Sequence, residues 1–214
     1  MIVSEDLFER IKSMVSYSWN IFSRKVGSGL IQINKEASMQ LKYAYILQQF
    51  IPLILFDEEE RVEIELESTC FIKGKTREID ILLKGTNCNS ETYTIAIELK
   101  CYKKYASSGN LRGAHDIFMK DVYYDLNLLE QYCEHNHADL GISLVMSNYE
   151  TSVNPQKKTA KCWVYDISDG AQVSSGTNFC TSIGGKDIDF TLNKNYSFIW
   201  NSVGEYWFTE IIGR

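Results

Sequence analysis

The sequence predicts an α/β protein in which a mixed central β-sheet is flanked by helices. Three observations carry this. Two segments with helical spacing of apolar residues come first. Three runs that alternate apolar and polar residues follow between Val62 and Tyr102, joined by short turns. An amphipathic segment over residues 116–134 then leads into a short apolar run over 141–146. Helices layered on a sheet bury one face of each such element.

In chain order, residues 4–24 read as an amphipathic helix with Leu7, Ile11, Met14, Val15 and Trp19 on one stripe and Ser4 as the N-cap. Gly27, Ser28 and Gly29 break it. A second helix starts near Asn34 and runs to about Phe50, with Met39, Tyr43, Ile46, Leu47 and Phe50 as its stripe; Pro52 ends or kinks it. Residues 57–61 form a charged turn. In the first alternating run Val62, Ile64 and Leu66 share one face, with Glu63, Glu65 and Glu67 between them. After a turn at Gly74, Ile79, Ile81 and Leu83 share a face of the second run. In the third, Tyr93, Ile95, Ile97 and Leu99 do the same. Three such runs with short turns read as an antiparallel meander. Residues 107–113 are a loop, and 116–134 form a helix with Phe118, Val122, Leu126, Leu129 and Cys133 inward. Residues 141–146 and 160–167 read as strands. The tail carries further strands near 188–192, 196–200 and 206–212, so that 160–214 is a β-rich extension. Trp163, Tyr196, Trp200, Tyr206 and Trp207 read as sheet core.

Composition bounds the function. A chain of 214 residues suits one domain, 1–214, and a hydrophobic fraction of 44% excludes intrinsic disorder. No apolar run approaches the roughly 18 residues of a membrane span. The N-terminus, acidic where a secretory signal is basic, adds the expectation of a cytoplasmic protein. The net charge of −6 speaks against a protein that coats nucleic acid by charge alone. The six cysteines form no closely spaced pair, which speaks against structural zinc and for buried thiols. The string His135-Asn136-His137 reads as a polar helix end.

The residues that carry chemistry are Asp80, Glu98 and Lys100. Period two puts Glu98 and Lys100 on one face of the third run. If the second and third runs pair, Asp80 comes beside Glu98. Two adjacent carboxylates repel, and a hard divalent cation relieves them. A cation held there polarises a phosphoryl oxygen, while Lys100 orients or deprotonates water or stabilises charge on phosphorus. The alternative is a plain strand-face ion pair between Glu98 and Lys100.

At these residues the sequence resembles the PD-(D/E)XK, or restriction-endonuclease-like, nuclease superfamily. The matching strings are Glu78-Ile79-Asp80-Ile81-Leu82 and Ala96-Ile97-Glu98-Leu99-Lys100, and the resemblance spans about 34–148. Ile79 stands where the family name has a proline. The resemblance implies a restriction-endonuclease-like core with additional C-terminal strands. It implies that Asp80 and Glu98 bind Mg2+, with Mn2+ able to substitute, and that Lys100 serves the water. It further implies that Glu36, at the start of the second helix, assists. Glu78 is a rival ligand, and Gln40, one turn after Glu36, can reach a phosphate or metal-bound water. Lys73, Lys75, Lys103, Lys104 and Arg112 are the expected nucleic-acid contacts, through phosphates rather than bases. The expected activity is Mg2+-dependent hydrolysis of nucleic-acid phosphodiesters, in first place double-stranded DNA, in restriction, repair or defence. A homodimer is what the resemblance implies for cutting both strands. The alternative is a non-catalytic nucleic-acid- or protein-binding module on the same fold.

Overall fold

The computed structural model describes residues 4–106 and 108–214. It contains a six-stranded mixed sheet flanked by helices. Helix α1 spans Leu7–Gly27 and α2 Glu36–Ile54. The N-cap of α1 is Asp6, whose carboxylate accepts the Phe8 N–H at 2.8 Å, so the helix starts after the expected Ser4. Glu9 in its first turn and Arg24 and Lys25 in its last turn complement the helix dipole. In α2, Pro52 lies in the last turn; the helix continues past it only to Ile54 before the chain extends at Leu55. The two helices pack together through Met14, Val15, Phe22, Met39, Tyr43 and Leu47, and the Tyr43 hydroxyl donates to the Val15 carbonyl at 2.9 Å.

A buried ion pair closes this helical layer. Arg10, 1% exposed, donates to both carboxylate oxygens of Glu60 and to the Ile54 carbonyl. Glu60 also accepts the Phe56 N–H at 2.8 Å, and the guanidinium lies 4.3 Å from the Phe56 ring centre. The start of α1, the end of α2 and the entry to the sheet are thereby tied at one point.

Strands β1 (Arg61–Ile72), β2 (Lys75–Thr86) and β3 (Thr92–Tyr102) form the expected antiparallel meander, with Ile81 opposite Ile97 across β2 and β3. Helix α3 (His115–Glu134) then crosses over to β4 (Leu140–Ser147), which lies parallel to β3. A parallel neighbour requires such a crossover. His135 caps the end of α3 and Asn136 adopts a left-handed turn, so the His135-Asn136-His137 string is the polar helix end it was read as.

The faces of β1 and β2 depart from simple alternation. On β2, Ile81 and Leu83 face α1 and α2, but Ile79 packs with Leu128, Leu129 and Tyr132 of α3. On β1, Val62 and Ile64 face α1 and α2, whereas Cys70 and Ile72 join the α3 cluster. Strict alternation keeps residues of equal parity on one side. The shared face expected for Ile79, Ile81 and Leu83 is therefore corrected. The change falls at one level on both strands. Between the register pairs Leu66–Ile81 and Ser68–Ile79 stand Glu67, with φ +53°, and Asp80. A positive φ at a non-glycine residue costs backbone strain, and here it reverses the faces of the hairpin beyond it.

Residues 160–167 form no strand. After the short helix α4 (Glu150–Val153), Lys161–Tyr165 is a 3-10 turn that buries Cys162 and Tyr165. Their spacing of three suits that helix, not a period of two. The tail then contributes β5 (Gln172–Val173), β6 (Thr177–Phe179), β7 (Phe190–Leu192) and β8 (Tyr196–Ser197), paired β5 with β8 and β6 with β7. Strands β9 (Asn201–Val203) and β10 (Tyr206–Ile212) complete the main sheet, in the order β1-β2-β3-β4-β10-β9. Tyr123 of α3 packs against Tyr165, Phe179 and Phe198 of the tail. Tyr196 and Trp200 are buried there, as expected, while Trp163, Tyr206 and Trp207 are half-buried. No helix among the described residues is long and apolar enough to cross a membrane.

Candidate carboxylate–lysine site

The point where β1 and β2 change face is also where the acidic residues gather. Continuing the β2–β3 register places Asp80 beside Glu98. Asp80 Oδ2 accepts the Leu99 N–H at 2.7 Å, a side chain standing where a strand carbonyl would otherwise bond. Gln40 of α2 uses its amide nitrogen twice, donating at 2.7 Å to the Asp80 carbonyl and at 2.7 Å to Glu67 Oε1. Gln40 thus holds the kink together.

On the α3 face, Glu98 is 5% exposed and accepts the Tyr132 hydroxyl at 2.8 Å. Two residues on, Lys100 Nζ lies 3.0 Å from Asp125 Oδ2 and 3.3 Å from Glu36 Oε1. Glu36 Oε2 also accepts the Cys101 N–H at 3.4 Å. Lys100 therefore links the start of α2 to the middle of α3 across the end of β3. Four carboxylates, Glu36, Asp80, Glu98 and Asp125, feel this one ammonium, and Glu67 lies on the far side of Asp80 through Gln40.

Burial sets the protonation of Asp80, Asp125 and Glu98. It pushes Asp80 up to about 6, against the Leu99 N–H and Lys100 and helped by Glu36 and Glu67. It pushes Asp125 up to about 7, with Lys100 opposing. Glu98 rises well above the carboxylate range through burial and then through Asp125 and Asp80. For Lys100 burial alone would favour the neutral amine, but Asp125 and Glu36 outweigh it and hold the ammonium firmly charged. Lys100 is thus suited to stabilising negative charge or orienting water, and poorly suited to taking a proton.

A cation would meet hard oxygen donors of the kind Mg2+ and Mn2+ prefer. Asp125 Oδ2 is buried and has Lys100 Nζ, at 3.0 Å, as its partner. The donor set fits in chemistry and in neighbourhood, but not in side-chain direction. Asp80 is turned to Leu99 and Glu98 to Tyr132. Among the described residues no three Asp, Glu, His or Cys side chains converge as a metal centre.

The other sequence candidates divide. Arg112 lines a cleft of about 190 Å3 with Glu36, Lys100, Tyr102 and Phe118, and its guanidinium stacks 5.5 Å from the Tyr102 ring centre. Lys103 donates to the Ile33 carbonyl at 2.8 Å, and Lys104 lies over Tyr105, so both flank the same end of β3. Lys73 and Lys75 sit at the tip of the β1–β2 hairpin, and Lys73 instead lines a larger cleft of about 700 Å3 with Arg77, Lys120 and Lys186. Glu78 is exposed, paired with Thr69 beyond the kink, and makes no hydrogen bond to the cluster among the described residues.

Sequence reasoning missed Asp125, Tyr132 and Glu67. The first two carried a signal. Asp125 lies three residues after Val122 and four before Leu129, on the apolar stripe of α3, and Tyr132 follows two turns later on that face. A carboxylate on an apolar stripe asks for a buried partner.

The raised Asp80 makes stability depend on pH. Because the folded chain holds this proton more tightly than the unfolded one, stability falls as pH rises from about 4 to about 6 and stays reduced above that. Asp80→Asn keeps an acceptor for Leu99 and removes the charge. Without divalent cations it is expected to be more stable than wild type by about 1–3 kcal/mol at pH 8, with no gain at pH 4. Thermal melts at both values check this; equal midpoints at pH 8 would show that burial does not shift Asp80. Comparison with protein-family models, curated proteins and solved structures gives no match, so the chemistry rests on these residues alone.

Proposed function

We propose that the chain is a metal-dependent nuclease that hydrolyses nucleic-acid phosphodiester bonds, with double-stranded DNA as the first substrate to test. One observation supports it above the others: Asp80 and Glu98 are brought together by paired strands, both pushed toward protonation, beside a lysine held charged. A divalent cation would offset the repulsion between two such acids once both are ionised. Asp80 and Glu98 would hold Mg2+ or Mn2+, which when bound would supply Lewis-acid polarisation of the phosphoryl oxygen. Lys100 stabilises the charge that builds on phosphorus and orients the attacking water. Glu36 and Asp125 keep Lys100 in place, and Arg112, Lys103 and Lys104 offer phosphate contacts along the same end of β3. Tyr132 holds Glu98 in its present direction through its hydroxyl.

The test is incubation of the purified chain with plasmid, single-stranded DNA and RNA, with Mg2+, Mn2+ or a chelator, beside Asp80→Asn. Cleavage that needs the metal and falls at least about a hundredfold in the variant is the expected result. A second reading, a binding module on this fold, is favoured by the commitment of both acids to protein hydrogen bonds. Binding of the same nucleic acids without cleavage under every condition would replace the first reading by the second.

A further inference from the structure

The outer face of α2 is apolar where a solvated helix should be polar. Leu41, Tyr45 and Leu53 are 60%, 66% and 64% exposed. They follow at intervals of four and eight, so with Gln49 between the last two they form one i±4 ridge. Tyr17 of α1 extends the patch, half exposed and set edge-on against Phe50 at 5.4 Å. Charges flank the ridge unevenly. Lys35 and Lys42 lie toward its start, and Asp57, Glu58 and Glu59 lie just past its end. All five are exposed, and none forms an ion pair among the described residues.

We propose that this face pairs with the same face of a second copy of the chain, the two α2 helices running antiparallel about a two-fold axis. A two-fold interface must be self-complementary, and this ridge is. Reversing it sets Leu41 against Leu53 of the second copy and Tyr45 against its Gln49. The same reversal brings the lysines at the start of one helix toward the acidic turn at the end of the other, and it sets the helix dipoles in opposition. A membrane would leave that acidic turn facing lipid headgroups, and no such complementarity exists for a neutral partner. A two-helix face about 28 Å long and about 20 Å wide offers roughly 600 Å2 per copy, below the roughly 800 Å2 of a standard interface. The pairing is therefore reversible, with dissociation on the order of ten micromolar.

Sedimentation of the full chain from about 1 to about 200 μM reads it. Wild type is expected to pass from monomer to dimer over that range, and high salt to weaken the dimer. Tyr45→Glu, a change at an exposed position, is expected to remain monomeric throughout with an unchanged circular dichroism spectrum. Lys42→Glu is expected to raise the dissociation constant about tenfold. A wild type that stays monomeric at the highest concentration overturns the proposal, and so does a dimer that Tyr45→Glu leaves intact. The inference is independent of the nuclease reading, since mass reports the one and cleavage the other.

Discussion

Lys100→Met is expected, on the proposed nuclease reading, to lower metal-dependent cleavage by about a thousandfold. A positioned cation that stabilises developing charge contributes on this scale. The substitution has a second consequence, because Lys100 is the only cation within ion-pair distance of buried Asp125 among the described residues. Without it Asp125 must take up a proton or stand as an uncompensated buried charge, at a cost of about 3–5 kcal/mol. The sign is fixed by Lys100 being held above its ordinary value: its contribution is fully present at neutral pH and is lost only as pH rises past the lysine range. A double variant, Lys100→Met with Asp125→Leu, separates the two effects. It is expected to recover thermal stability and to remain inactive in single-turnover cleavage. Recovery of cleavage in the double variant would show that Lys100 serves the fold and not the reaction.

Arg10→Met is expected to cost about 3–5 kcal/mol, a fall in the thermal midpoint of about 10 °C. The substitution strips Glu60 of its counter-charge and leaves the Ile54 carbonyl without its donor, at the junction of α1, α2 and the sheet. The Arg10 hydrogen bonds are the largest influence holding Glu60 below the carboxylate range. That stability is present above about pH 4 and is lost as pH falls through the lowered value. The gap between variant and wild type is therefore expected to be wide at pH 7 and narrow near pH 3, in melts across that range. Arg10→Met with Glu60→Leu, which removes both charges, is expected to return most of the loss. If the double variant is as unstable as the single one, packing on Phe56 rather than the ion pair holds the junction.

Much of the architecture was legible because it is local. Apolar spacing in α1, α2 and α3 and alternation in β1 to β3 report burial one element at a time, and short turns leave a meander few alternatives. The neighbourhood of Asp80, Glu98 and Lys100 followed from those strands. The reversal of faces at Glu67 did not, because a left-handed residue inside a strand is imposed by tertiary packing and a glutamate gives no sign of it. The 3-10 turn at 161–165 was misread as a strand because the intervening Val164 and Trp163 blur a spacing of three. Asp125 and Tyr132 were overlooked for a different reason. Helical spacing marks which face of α3 is buried, but it does not name the partner that a buried acid such as Asp125 meets on another element. The directions in which Asp80 and Glu98 point depend on Leu99 N–H and Tyr132, partners that no local pattern names.

The reversal at Glu67 and Asp80 also governs which changes of length the hairpin accepts. The arm beyond it is phased to α3, and the part before it is phased to α1 and α2. One residue added to either strand of the outer arm would turn Cys70, Ile72 or Ile79 outward while leaving the inner half undisturbed. A matched residue added to each strand at the turn would simply lengthen the tip around Lys73 and Gly74. Divergent versions of this chain are thus free to vary the reach of the arm, in matched steps, without moving Asp80.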